Sequence, residues 1–81
     1  MAKKQKTVKV YTTAVCPWCV KVKEYLKSKN IEYKEFNVGT DMAARQEMFL
    51  KTGQGGVPVV EIEDTIIIGF DKESIDEALG L

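Results

Sequence analysis

The sequence predicts an α/β fold: a four-stranded mixed sheet flanked by three helices, in the order β-α-β-α-β-β-α. Three observations predict it. Short apolar runs with period two or with β-branched residues occur four times, at 7–12, 31–38, 57–62 and 65–68. Between them lie stretches of helical period, the clearest from Pro17 to Lys29. The last two apolar runs are joined by Glu63-Asp64 alone, which makes them an antiparallel hairpin, whereas the first two are joined through a helix and are expected parallel, with a right-handed crossover.

In chain order, Thr7 to Thr12 reads as β1, with Val8 and Val10 alternating with Lys9 and Tyr11. Thr13-Ala14-Val15 leads into Cys16, and α1 runs from Pro17 to Lys29 with Trp18, Val22, Tyr25 and Leu26 at i, i+4, i+7 and i+8. Asn30 is a helix stop. Ile31 to Val38 reads as β2 on the strength of Ile31, Tyr33 and Phe36. Gly39-Thr40-Asp41 breaks it, and Asp41 caps α2, which extends to about Thr52 with Met42, Arg45, Gln46 and Phe49 near one face. Gly53-Gln54-Gly55-Gly56 is a flexible loop. β3 runs from Val57 to Ile62 and opens on Pro58, a residue tolerated at a strand start. β4 is Thr65–Ile68, ended by Gly69-Phe70, and Asp71 caps α3, Lys72 to about Leu79, with Ile75, Ala78 and Leu79 facing inward.

Eighty-one residues with 44% hydrophobic content are expected to make one domain, 1–81, preceded by a basic tail at 1–6. The tail lacks an apolar segment after its lysines, and no apolar run approaches the roughly 18 residues of a membrane span, so a cytoplasmic location without membrane contact is expected. Net charge is zero but unevenly spread: residues 1–34 hold nine Lys against two acids, and residues 35–81 hold three basic residues against ten acids. The positive half is either a steering patch for an acidic partner or a solvated helix face. Basic residues without interleaved aromatics, and a pI near 6.2, disfavour nucleic acid.

The chemistry-bearing stretch is Cys16-Pro17-Trp18-Cys19. Cysteines at i and i+3 share a helix face at about 5–6 Å, within the reach of a disulfide. Pro17 suits the first helical position, which puts Cys16 at the N-cap, where backbone donors and the helix dipole favour its thiolate. Cys19, one turn in, would resolve the disulfide that Cys16 forms by attack. Two other readings stand beside this one: a pair of buried small hydrophobes, and two ligands of a metal site, for which the chain offers no His and no third Cys.

Together with Val57-Pro58 before the hairpin and Gly69-Phe70-Asp71 before the last helix, this motif resembles the thioredoxin superfamily, and within it the short glutaredoxins. The resemblance covers nearly all of the chain from Val8 onward. It implies the thioredoxin-like fold with strand order 2-1-3-4, a cis Val57–Pro58 bond, and a substrate segment paired with the backbone of Val57. It also implies a substrate surface built from Thr13, Pro17, Trp18, Val57, Pro58, Gly69, Phe70 and Asp71. Glutathione-using members usually carry Lys where Thr13 stands, Thr where Gly56 stands, and a Gly-Gly pair where this chain has Gly69-Phe70. The last feature is similar to the NrdH redoxins, which take electrons from thioredoxin reductase.

The expected function is therefore dithiol–disulfide exchange by Cys16 and Cys19 in a monomer without a resident cofactor. Its partners would be disulfide-containing proteins, such as ribonucleotide reductase or peroxidases. Its electrons would come from thioredoxin reductase or from glutathione as co-substrate, the latter held at the N–H groups that start the last helix. The alternative is an iron–sulfur carrier, two chains sharing a cluster through their Cys16 thiolates and two external thiols.

Overall fold

The computed structural model describes residues 6–81; of the expected basic tail, all but Lys6 lies outside them. The elements are β1 (Val8–Thr12), α1 (Pro17–Ser28), β2 (Lys34–Asn37), α2 (Met42–Thr52), β3 (Val59–Ile62), β4 (Thr65–Ile68) and α3 (Lys72–Leu79). The sheet order is β2-β1-β3-β4, with β1 parallel to β2 and antiparallel to β3, and β3 antiparallel to β4. This is the predicted order and topology.

Alternation along the strands divides the core between the two faces of the sheet. Val8, Val10, Val60, Ile62 and Ile67 pack with Val22 and Leu26 of α1 and Ile75 of α3. Tyr11 and Val59 point the other way and pack with Val38 and with Ala44 and Met48 of α2. Tyr11 is fully buried; its hydroxyl lies 3.2 Å from Glu47 Oε1, and Lys51 Nζ donates to Glu61 at 2.8 Å beside it. Burial raises the Tyr11 pKa, with Lys51 opposing that shift.

The structure corrects the sequence at five boundaries, the slightest being the end of β2 at Asn37 rather than Val38. β2 starts at Lys34, not Ile31, because α1 ends in a Schellman closure: Asn30 N donates to Lys27 O, Ile31 N donates to Leu26 O, and Asn30 takes the left-handed conformation at φ 59°. Ile31 and Tyr33 still pack on the core, but from a loop. β3 starts at Val59, not Val57, because the Val57–Pro58 bond is cis and the chain bends before the ladder begins. β1 begins one residue later than expected, at Val8, and α1 stops at Ser28. On α2, Met42, Arg45, Gln46 and Phe49 face solvent, while Ala44 and Met48, spaced i and i+4, turn inward. The apolar residues there are too sparse to mark the buried face.

Candidate active site

The end of β1 delivers the chain to the site. After Thr12, residues 13–15 form a short connection and Cys16 becomes the N-cap of α1, with φ −155° and ψ 96°. Its Sγ accepts from Cys19 N at 3.1 Å, and its carbonyl accepts from Cys19 N at 3.1 Å and Val20 N at 3.2 Å. Pro17 occupies the first helical position, where no N–H is needed. Cys16 and Cys19 are joined in a disulfide with Cα atoms 5.2 Å apart. The two sulfurs differ in access: Cys19 is 1% exposed, whereas Cys16 is only partly covered.

Two further segments close around this turn. Pro58 is buried and its carbonyl accepts from Gly69 N at 2.8 Å, which ties the cis bend to the end of β4. Phe70 lies between two rings, with centroids 6.5 Å from Trp18 and 5.9 Å from Tyr25. Trp18 remains 57% exposed, and it touches the residue that leads into α3. Lys21 sets its ammonium 5.7 Å from the Trp18 ring centroid. Thr13 is engaged locally, its hydroxyl donating to Val15 O at 3.4 Å.

At the start of α3, the expected cap competes for the N–H groups that would hold a glutathione carboxylate. Asp71 is the N-cap, and its carboxylate accepts from Ser74 N at 3.2 Å and from Ser74 Oγ at 2.8 Å. These bonds to Ser74 hold its pKa below the ordinary aspartate value. The helix N-terminus thus carries its own anion.

Sequence reading missed two polar groups close to the site in the chain. Buried Thr12 donates its hydroxyl to Glu35 Oε2 at 2.8 Å, and Lys23 of α1 donates to the same oxygen at 2.9 Å. The Lys23 bond, aided by Thr12, lowers the Glu35 pKa against the opposing effect of burial. The available signal was the parallel pairing of β1 with β2, which sets Val10 opposite Glu35. The second is Tyr25, read as an apolar helix residue, whose hydroxyl donates to Asp76 and whose pKa is raised chiefly by that bond.

The glutaredoxin family model matches residues 8–67, which spans β1 through most of β4 and contains both cysteines. The chain is 51% identical over 72 residues to an uncharacterized glutaredoxin-like 8.6 kDa protein in a rubredoxin operon of Clostridium pasteurianum, covering 89% of this chain and 96% of that protein. The chain belongs to the glutaredoxin family. Glutaredoxin 3 of Escherichia coli is 34% identical over 73 residues, covering 90% of this chain and 88% of its own. Among solved structures, the thioredoxin-like protein BC3987 superposes with a TM-score of 0.85 at 38% identity, over 90% of this chain and all of that one. Membership and the Cys16–Cys19 disulfide together make this a thiol–disulfide oxidoreductase. Among the described residues, no helix is long and apolar enough to cross a membrane.

Proposed function

We propose that the chain reduces disulfides in proteins and is itself re-reduced by a dithiol reductase of the thioredoxin reductase type, in preference to glutathione. The observation that carries the disulfide exchange is the unequal access of the two sulfurs at a helix N-terminus, one partly open and one buried.

In the reduced protein, the Cys16 thiolate is stabilised by the N-terminal donors of α1. It attacks one sulfur of the substrate disulfide, forming a mixed disulfide and releasing the other sulfur as a thiolate. The Cys19 thiolate then attacks Cys16 Sγ. The bond to substrate breaks, the second substrate thiol leaves, and the Cys16–Cys19 disulfide forms. Two electrons pass from the cysteine pair to the substrate, and no resident cofactor is needed. Val57, at the cis bend, offers backbone groups to an extended substrate, and Pro17 and Trp18 offer apolar surface. Gly69 supports the bend through its bond to Pro58 O, and Phe70 supports Trp18.

The preference over glutathione rests on charge. Glutathione brings carboxylates. Here Thr13 supplies no cation, Gly56 supplies no hydroxyl, and Asp71 fills the start of α3 with a carboxylate of its own. We place the protein in the cytoplasm as a monomer, serving disulfide-forming enzymes such as ribonucleotide reductase or peroxidases. No observation favours the cluster-bridged dimer, to which each chain would bring Cys16 alone.

Reduction of a protein disulfide, followed as insulin turbidity with dithiothreitol as the electron source, tests the assignment. Wild type should accelerate it and Cys16→Ser should not. Near-normal acceleration by Cys16→Ser would overturn the role given to Cys16.

A further inference from the structure

Among the described residues β4 is an outer strand of the sheet, and its register fixes which of its backbone groups face outward. Gly69 N donates to Pro58 O, so Gly69 faces β3. Pairing alternates along an antiparallel ladder, so Ile67 and Thr65 also face β3. The N–H and C=O groups of Ile66 and Ile68 then point away from the sheet. The strand reads Thr-Ile-Ile-Ile, with neither the charge nor the proline that commonly blunts an edge, and Ile68 is 54% exposed. Beside it runs a groove of about 550 Å³ whose other wall is α3, presenting Asp71, Ser74 and Glu77, and which Lys6 also lines.

We propose that this groove docks an extended segment of a partner protein, added as a fifth strand on β4 and carrying apolar and basic residues in alternation. The pattern follows from the pleat. A residue placed beside Ile67 puts its side chain on the face that Ile67 shares with α3, where Asp71 and Glu77 line the groove. Its neighbours, beside Ile66 and Ile68, lie on the opposite face, where Ile66 is partly buried on the core and Ile68 is exposed. The chain already seats one ammonium here: Lys6 Nζ donates to Ala78 O at 2.8 Å, at the negative end of α3. A second copy of the chain fits less well. Two β4 strands paired about Ile67 would bring two rows of α3 acids toward each other.

The proposal extends beyond electron transfer and is read without turnover. The ¹⁵N-labelled full chain is titrated with an acetylated eight-residue peptide of alternating valine and lysine, and separately with its valine–glutamate counterpart. Amide shifts centred on Ile66 and Ile68 are expected with the lysine peptide, and at least tenfold weaker binding with the glutamate peptide. Ile68→Pro removes an outward N–H and no bond to β3, and Glu77→Lys reverses one wall charge; each should weaken binding about tenfold. Absence of shifts at millimolar peptide, shifts centred elsewhere, or equal binding of the two peptides would overturn the proposal. So would concentration-dependent shifts at Ile66 and Ile68 without peptide, which would give the edge to a second copy.

Discussion

Cys16 and Cys19 have the same side chain and receive different work from one turn of helix. Cys16 is reachable and its Sγ accepts from Cys19 N at the start of α1; Cys19 is covered by the fold. A Cys19→Ser variant should therefore still make the first attack and then stall. Mass spectrometry under non-reducing conditions should find one substrate chain attached through Cys16, where wild type shows little. Glu35 gives a second test at this scale. Its pKa is lowered in the folded state by Lys23 and Thr12, so its contribution to stability is present above the unfolded carboxylate pKa, near 4.3, and is lost as pH falls through the folded value. With the carboxylate partly exposed, the effect is at most about 1 kcal/mol. Urea unfolding should find Glu35→Gln less stable than wild type at pH 7, and the gap should narrow below about pH 4. A gap that is constant with pH would remove the ion pair as its cause.

At the scale of elements, capping was the most legible feature. Asp41 and Asp71 were read as N-caps from the sequence and both accept a backbone N–H three residues on. Asp41→Ala should cost about 1 kcal/mol and lower the melting temperature by about 4–8 °C, measurable by calorimetry. The strand limits at Ile31 and Val57 were less legible, for a common reason. In both places apolar residues serve the core from irregular backbone, held by the Schellman closure at Asn30 and by the cis bend at Pro58. Period-two patterning cannot separate such residues from a strand. The inner face of α2 was hidden because Ala44 and Met48 carry little apolar weight beside exposed Met42, Phe49 and Leu50.

The whole molecule is a sheet whose central strands, β1 and β3, end beside one another at the cysteine turn and at the cis bend. Both segments can be recognised in the sequence, since each carries a short motif; the polar links Thr12–Glu35 and Tyr25–Asp76 are harder to read, because the predicted topology brings the elements together but leaves strand register and helix rotation open. The core that fixes this frame is small. Leu26, fully buried between α1 and the sheet, should lose about 2–5 kcal/mol on change to Ala, a large share of the roughly 5–15 kcal/mol of a typical domain. Denaturant unfolding should show the midpoint fall with an unchanged slope. The proposed source of electrons belongs to this same scale and rests on the charge the assembled site presents. The most direct measurement follows NADPH consumption by the oxidised protein in two parallel reactions, one with thioredoxin reductase and one with glutathione plus glutathione reductase. Turnover with thioredoxin reductase and little with glutathione is the expected result. Turnover with glutathione alone would contradict it, and would mean that the carboxylate of Asp71 does not keep glutathione out.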